Sequence, residues 1–133
     1  MRLHSHSKTN NRRRKAHDLG LRAEMLAALY LQLKGYRIIA RRYRNHYGEI
    51  DLLAVRGKWL VAVEVKARKA IAQCADSVPY FKQQKIASAM AGLTAERSKI
   101  AGLAQAERRN IRYDVIYIVP GHFPRHVKGA WGT

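Results

Sequence analysis

At 133 residues with 47% hydrophobic content, the chain suffices for one domain with its own core, and no apolar run reaches the roughly 20 residues that cross a bilayer. Twenty-six Lys and Arg against nine Asp and Glu give a formal charge of +17, which suits a polyanionic partner, nucleic acid before an anionic membrane face. The single cysteine, Cys74, excludes an internal disulfide and a Cys-rich zinc site, and no apolar segment follows the basic N-terminus as in a secretory signal, so a cytoplasmic location is expected.

Residues 1–17 are basic and almost free of apolar side chains, which predicts a disordered tail followed by a single domain over 18–133. The RRRK run at 12–15 suits phosphates and open solvent equally. Asp18 reads as the N-cap of a helix to about Lys34, stopped by Gly35. Leu19, Ala23, Leu26, Tyr30 and Leu33 recur at helical spacing and, widened by Ala27 and Leu31, predict its buried stripe. Glu24 falls at the margin of that stripe beside Gly20, Ala27 and Ala28; alone it reads as a solvated glutamate. From Tyr36 to about Arg44 the chain alternates as a strand, with Tyr36, Ile38 and Ala40 on one side and Arg37, Ile39 and Arg41 on the other. Its far end, RRYRNHY at 41–47, mixes cations with rings, which fits backbone phosphates and stacked bases and equally an edge strand defended by charge.

The run GEIDLLAVRGKWLVAVEVKARK, residues 48–69, reads as a hairpin whose charged residues sit inside apolar strands. With Arg56–Gly57 as the turn, Val55 faces Lys58, Leu53 faces Leu60, Asp51 faces Ala62 and Glu49 faces Glu64. Alternation then sends Glu49, Asp51, Glu64 and Lys66 to one face and Ile50, Leu52, Ala54, Val61, Val63 and Val65 to the other. Carboxylates as near as Asp51 and Glu64 repel unless a proton or cation lies between them, and Mg2+ habitually takes one or two carboxylates plus water. Lys66 on the same face suits charge developing on a phosphoryl group. The competing reading is an ion-pair cluster of Glu49 or Glu64 with Lys66.

Residues 67–76 read as a loop, and Ser77 as the N-cap of a helix with Pro79 in its first turn, running to about Leu93. Phe81, Ile86, Met90 and Leu93 are expected inward, with Lys82, Gln83 and Lys85 outward. A second helical segment is expected over 95–109, weakened by Gly102. Residues 111–119 predict a strand ended by Pro120–Gly121, and the tail a short strand and turn. His46, His122 and His126 are too irregularly spaced for a zinc motif and read as surface or structural; Trp59 reads as packing, and Trp131 as docking the tail or a second subunit. The order α-β-β-β-α-(α)-β predicts an α/β fold, a mixed sheet flanked by helices.

Asp51, a gap, then Glu64-x-Lys66 on a hairpin resembles the signature of the restriction-endonuclease-like, PD-(D/E)xK nuclease superfamily. The longer pattern covers about residues 19–131. It comprises ExxAxxYLxxxGYxI from Glu24 to Ile38, GEIDLxA from Gly48, VxVEVKxR from Val61, the Lys-Gln helix from Lys82 to Ile86, RYDVI from Arg112, and HxxxAW from His126. It resembles the YraN-like family of bacterial proteins, themselves similar to archaeal Holliday-junction resolvases.

The resemblance implies a restriction-endonuclease-like α-β-β-β-α-β core and a metal-dependent endonuclease of structured or branched DNA, with DNA ahead of RNA, no membrane partner, and a homodimer by analogy with junction enzymes. It implies Mg2+ or Mn2+ on Asp51, Glu64 and the main-chain carbonyl of Val65, Lys66 at the attacking water, and Glu24 completing the catalytic set. Gln84 or Gln83 would sit beside the scissile phosphate, with Arg41, Arg42, Arg44, Lys82 and Lys85 gripping the strand. Glu49 would support the acidic set; Asp114 reads either as another such support or as a polar strand end. Two departures, Ala23 where the family usually has Gly and Arg42–Tyr43 where it has Arg-Asn, remove no ligand. The alternative is a non-catalytic nucleic-acid-binding protein, for which the charge alone suffices.

Overall fold

A sheet with apolar residues on both faces needs two covers, and the chain supplies a helix for each. The computed structural model describes residues 2–95 and 110–132. In chain order these form α1 (Arg2–Leu33), β1 (Arg37–Asn45), β2 (Gly48–Arg56), β3 (Trp59–Ala67), a 3-10 turn (Ile71–Ala75), α2 (Tyr80–Ala95), β4 (Asn110–Ile118) and β5 (Arg125–Trp131). The strands make one mixed sheet in the order β1-β2-β3-β4-β5, parallel between β3 and β4 and antiparallel elsewhere. The α/β class and core order are those expected. The helical segment expected over 95–109 lies, from residue 96 on, outside the described residues.

Ala27, Ala28 and Leu31 of α1 close over Leu52, Ala54, Val61, Val63 and Ile116. On the opposite face Ile86, Ala89, Met90 and Leu93 of α2 cover Leu53, Val55, Leu60, Ala62 and Tyr113. A third cluster, Cys74, Val78, Val115, Tyr117 and Val119, lies under the 3-10 turn, where a plain loop was expected. Trp131 docks β5 by stacking on Tyr113, with centroids 5.3 Å apart. Among the described residues no helix is long and apolar enough to cross a membrane.

The expected stripe on α1 is corrected. The buried residues are Ala23, Ala27, Ala28 and Leu31, while Leu19, Leu26 and Leu33 are at least half exposed, as are Met25 and Leu29. Alanines let the helix axis lie close to the sheet, and a leucine face would have lifted it away. Asp18 is no cap: the helix runs back to Arg2, through the segment expected to be disordered. Residues 9–19 of this helix are exposed.

The hairpin register differs from the expected one by two residues. Arg56 pairs with Trp59, Val55 with Leu60 and Leu53 with Ala62, so Gly57–Lys58 is the turn. Gly57 has φ 56, the value the first position of a type II′ turn requires and that Arg56 would have adopted only under strain. A slip of two leaves every side chain on its face, whereas a slip of one would have exchanged the faces.

Alternation breaks at two places. A bulge between Ile38 and Ala40 moves Ala40 to the α2 side, and Ile50, expected beside Leu52, also packs under α2. Near the second break Arg42, in the facing strand, adopts φ 52. Helix α2 begins at Tyr80 instead of after Ser77, with the Pro79 carbonyl accepting from Lys82 N and Gln83 N at 3.0 Å each. Phe81 then falls about 140° around the helix from Ile86 and is exposed, contrary to expectation.

Candidate active site

The β2–β3 ladder runs from Arg56–Trp59 to Leu52–Val63, and continuing its register brings Asp51 level with Glu64. There a side chain takes over from the main chain: Asp51 Oδ2 accepts from Val65 N at 2.9 Å. A strand residue sends its N–H and C=O toward the same neighbour, so the Val65 carbonyl opens on the same gap. Glu64 is 4% exposed, and its Oε1 lies 2.5 Å from Lys82 Nζ at the start of α2. Burial opposes the charge on Lys82, but its contacts with Glu64 and Asp51 outweigh this and raise its pKa.

Asp51 bears the cost of this crowding. Burial, then the Glu64 charge, then Glu24 push its carboxyl up to about 7, against the opposing pull of the Val65 N–H and Lys82. Glu24 reaches in from α1 and is held by Arg42 Nε at 2.8 Å, which ties the left-handed residue of β1 to the first helix. The three acidic residues singled out from the sequence thus act on one another, although they come from a helix and two strands.

Lys66 is buried on the same face as Glu64, but its ammonium is turned along the sheet. Its Nζ lies 3.5 Å from Asp76 Oδ2 and 5.9 Å from the centroid of the Tyr117 ring. Asp76 also accepts from Arg68 Nη2 at 2.9 Å, and that hydrogen bond leads the causes that hold its carboxyl below the usual range. Neither Asp76 nor the direct grip of Lys82 on Glu64 was foreseen. Lys82 lies in α2, outside the hairpin, so no strand pattern pairs it with Glu64 without knowing where α2 crosses the sheet.

Among the described residues no three His, Cys, Asp or Glu side chains form a ready-made metal cage. The donor set that does exist, two crowded carboxyls and a main-chain carbonyl, still fits a hard divalent ion, which completes its shell with water. The raised Asp51 marks that fit, because a cation between the carboxyls would relieve the repulsion that keeps its proton on.

The expected strand-gripping residues fall on the rim. Arg41 and Lys85 are exposed, and Arg44 Nη2 pairs with Glu49 Oε2 at 3.3 Å. Glu49 is therefore engaged at the edge and does not stand behind Asp51 and Glu64. Gln84 donates to the Tyr80 hydroxyl at 2.9 Å, and Gln83 to the Val78 carbonyl at 2.9 Å, so Gln84 is the more accessible of the two.

Asp114 is not part of this constellation. It faces α1 from β4, fully buried, and accepts from Arg112 Nε at 2.9 Å, Arg112 Nη2 at 2.8 Å, Gly129 N at 3.0 Å and His126 Nε2 at 2.7 Å. The other ring nitrogen of His126 lies 2.8 Å from Lys34 Nζ, and Arg112 Nη2 donates to the Tyr36 hydroxyl at 2.6 Å. This knot fastens β5 and the end of α1 to the sheet, a structural role for His126 and for RYDVI and HxxxAW together.

Residues 23–118 match the model of the uncharacterised protein family UPF0102. A UPF0102 protein of Parvibaculum lavamentivorans is 44% identical over 116 residues, 87% of this chain and 83% of its own length. One from Agrobacterium fabrum is 44% identical over 122 residues, covering 92% and 95%, and one from Caulobacter vibrioides is 43% identical over 117 residues, covering 88% and 89%. The matched span holds Glu24, Asp51, Glu64, Lys66 and Lys82 alike, and the chain belongs to the UPF0102 family.

Proposed function

We propose that this chain is a divalent-metal-dependent nuclease that hydrolyses phosphodiester bonds in structured or branched DNA, in the manner of Holliday-junction resolvases. One observation carries the reading: in a chain of charge +17, Asp51 and Glu64 are crowded together where burial first, and the Glu64 charge second, raise the Asp51 carboxyl to about 7 even with Lys82 on Glu64. A stability-driven fold gains nothing from that arrangement.

Asp51, Glu64 and the Val65 carbonyl would hold Mg2+ or Mn2+. The ion would supply the charge neutralisation that attack on a phosphodiester requires. The protein's own part is positional. Glu24, fixed by Arg42, closes the α1 side, and the exposed cations Arg41, Lys85 and Arg44 draw the strand toward the rim. Lys66, once released from its 3.5 Å contact with Asp76, would be the ammonium that offsets charge on a phosphoryl oxygen. Binding through the backbone reads shape in preference to base sequence, and a junction would be met by two copies of the chain.

The test is cleavage of labelled linear, forked and four-way DNA and of RNA, with Mg2+ or Mn2+, by the parent and by Asp51→Ala, Glu64→Ala and Lys66→Ala. The expected result is cutting by the parent and loss in all three variants with nucleic-acid binding retained. Cutting by the variants at the parent rate would refute it. A second reading, a non-catalytic DNA-binding protein, draws on the engagement of Lys66 by Asp76 and of Glu64 by Lys82. Calorimetry decides between them, since that reading expects no cation binding that depends on Asp51 and Glu64.

A further inference from the structure

Beside Glu64 the turn between β1 and β2 is clamped onto α2 and encloses a cleft of about 440 Å3, within the range of small-ligand sites. The clamp is rigid. Asn45 Nδ2 donates to the Ala89 carbonyl at 2.9 Å, and its Oδ1 accepts from Tyr47 N at 2.9 Å and Gly48 N at 3.3 Å. Gly48 lies so near the helix that a Cβ there would stand 2.8 Å from the Lys85 carbonyl. A Cβ on Gly92 would stand 2.7 Å from Asn45 Nδ2 and 3.0 Å from the Tyr47 ring. Two glycines thus bring hairpin and helix together, and Tyr47 rests one edge on Gly92 while 60% of it stays exposed.

The lining combines that ring with Arg44, His46, Lys82 and Lys85, and Arg44 already neutralises Glu49. Tyr80 and Phe81, in the first turn of α2 just before Lys82, are exposed as well. Tyr47 is the one exposed aromatic side chain among the described residues that line this cleft. A site for backbone phosphates alone needs cations but neither rings nor a cleft. A base needs a π-face to stack on, and only an unpaired base offers its own face in return.

We propose that the cleft receives one unpaired nucleotide of a DNA strand, its base against Tyr47 and its phosphates on Arg44 and Lys85, next to the phosphate presented to Glu64. The preferred substrate is then DNA with single-stranded nucleotides at the reactive position, such as a fork, flap or overhang, ahead of a blunt duplex. This rests on the nucleic-acid reading above but not on hydrolysis, so it is tested without metal.

With EDTA present, fluorescence anisotropy compares a duplex bearing a single-stranded overhang with the same duplex blunt-ended. The parent is expected to prefer the overhang. Tyr47→Ala and Tyr47→Leu, the latter keeping apolar packing on Gly92, should each lose about tenfold or more on the overhang and little on the blunt duplex, with Tyr47→Phe near the parent. A 2-aminopurine in the overhang should be quenched by the parent and by Tyr47→Phe alone. Equal binding of the two probes by the parent, or an equal loss on both in the variants, overturns the proposal. A parent that shows the preference but cuts nothing with Mg2+ leaves this inference standing and removes the nuclease reading; one that cuts blunt and overhanging DNA alike removes this inference only.

Discussion

Replacing Asp51 by Asn isolates the charge conflict at the centre of the site. The amide oxygen can still accept from Val65 N, so the 2.9 Å bond survives while the negative charge goes. In the folded protein the carboxyl is raised from 3.8 to about 7, about three pH units at ~1.36 kcal/mol each, which sets an upper bound of roughly 4 kcal/mol. The direction follows from proton counting. As pH rises past about 4 the unfolded chain releases this proton while the folded one keeps it, so the parent loses stability up to about pH 7 and no further. Asp51→Asn escapes that loss. Its melting temperature without metal should exceed the parent's by ~5 °C or more at pH 8, with the gap closing toward pH 4. Saturating Mg2+ should narrow the gap at pH 8 by stabilising the parent alone. Scanning calorimetry of both proteins from pH 4 to 8, with EDTA and with Mg2+, is the assay. A variant no more stable than the parent at pH 8, or an advantage independent of pH, would show that Asp51 is not held under electrostatic stress.

Asp114→Asn should act in the opposite sense. Burial pushes the Asp114 carboxyl up, but hydrogen bonds from His126, Arg112 and Gly129 outweigh burial and hold it below its usual value, so the stability it contributes is present above about pH 4 and is lost as pH falls through the folded pKa. Leaving Arg112 without its buried partner should cost about 3 kcal/mol in urea unfolding at pH 7, shrinking toward pH 3; an equal deficit at both would count against the ion-pair origin. Two glycines make a contrasting pair: Gly48→Ala should lose about 1–3 kcal/mol because its Cβ meets the Lys85 carbonyl at 2.8 Å, whereas Gly20→Ala, in mid-helix with nothing within 4 Å, should gain about 0.5–1 kcal/mol. Unfolding curves of equal midpoint would refute the close approach of hairpin and helix.

Local rules carried the reading of the sequence as far as they reach. Strand alternation puts Glu64 and Lys66 on one face, which an error of two residues in the turn leaves unchanged because the period of a strand is two; Asp51 instead adjoins the break at Ile50 and turns its carboxyl onto Val65 N. The error itself came from giving Gly57 the second turn position, when its positive φ belongs to the first. On α1 the periodicity was sound but its phase was not: leucine and alanine stripes compete on one helix, and the distance to the sheet decides between them. Pairings that depend on where elements cross, such as Lys82 with Glu64, Arg42 with Glu24 and Lys66 with Asp76, leave no periodic trace. Asp114 stayed open between a supporting residue and a polar strand end, because only the fold brings His126 of the far strand onto it beside Arg112.

Those crossing contacts also explain how so cationic a chain keeps an acidic centre. Arg44 is engaged by Glu49, Arg68 by Asp76 and Arg112 by Asp114, each guanidinium matched to a carboxylate outside the Asp51 cluster, and Arg42 is taken up by Glu24 at its margin. Lys82 alone among these cations reaches the Asp51–Glu64 pair, with half its side chain in solvent. A long, partly solvated ammonium is the easiest of partners to displace, because water recovers its charge as it leaves. On the proposed function, the surface cations would draw a polyanion toward the rim, the engaged arginines would leave the centre negative, and Lys82 would pass from carboxylate to phosphate once another cation took its place. Charge of one sign would thus be used to find the substrate and charge of the other to act on it, within the span of a single lysine side chain.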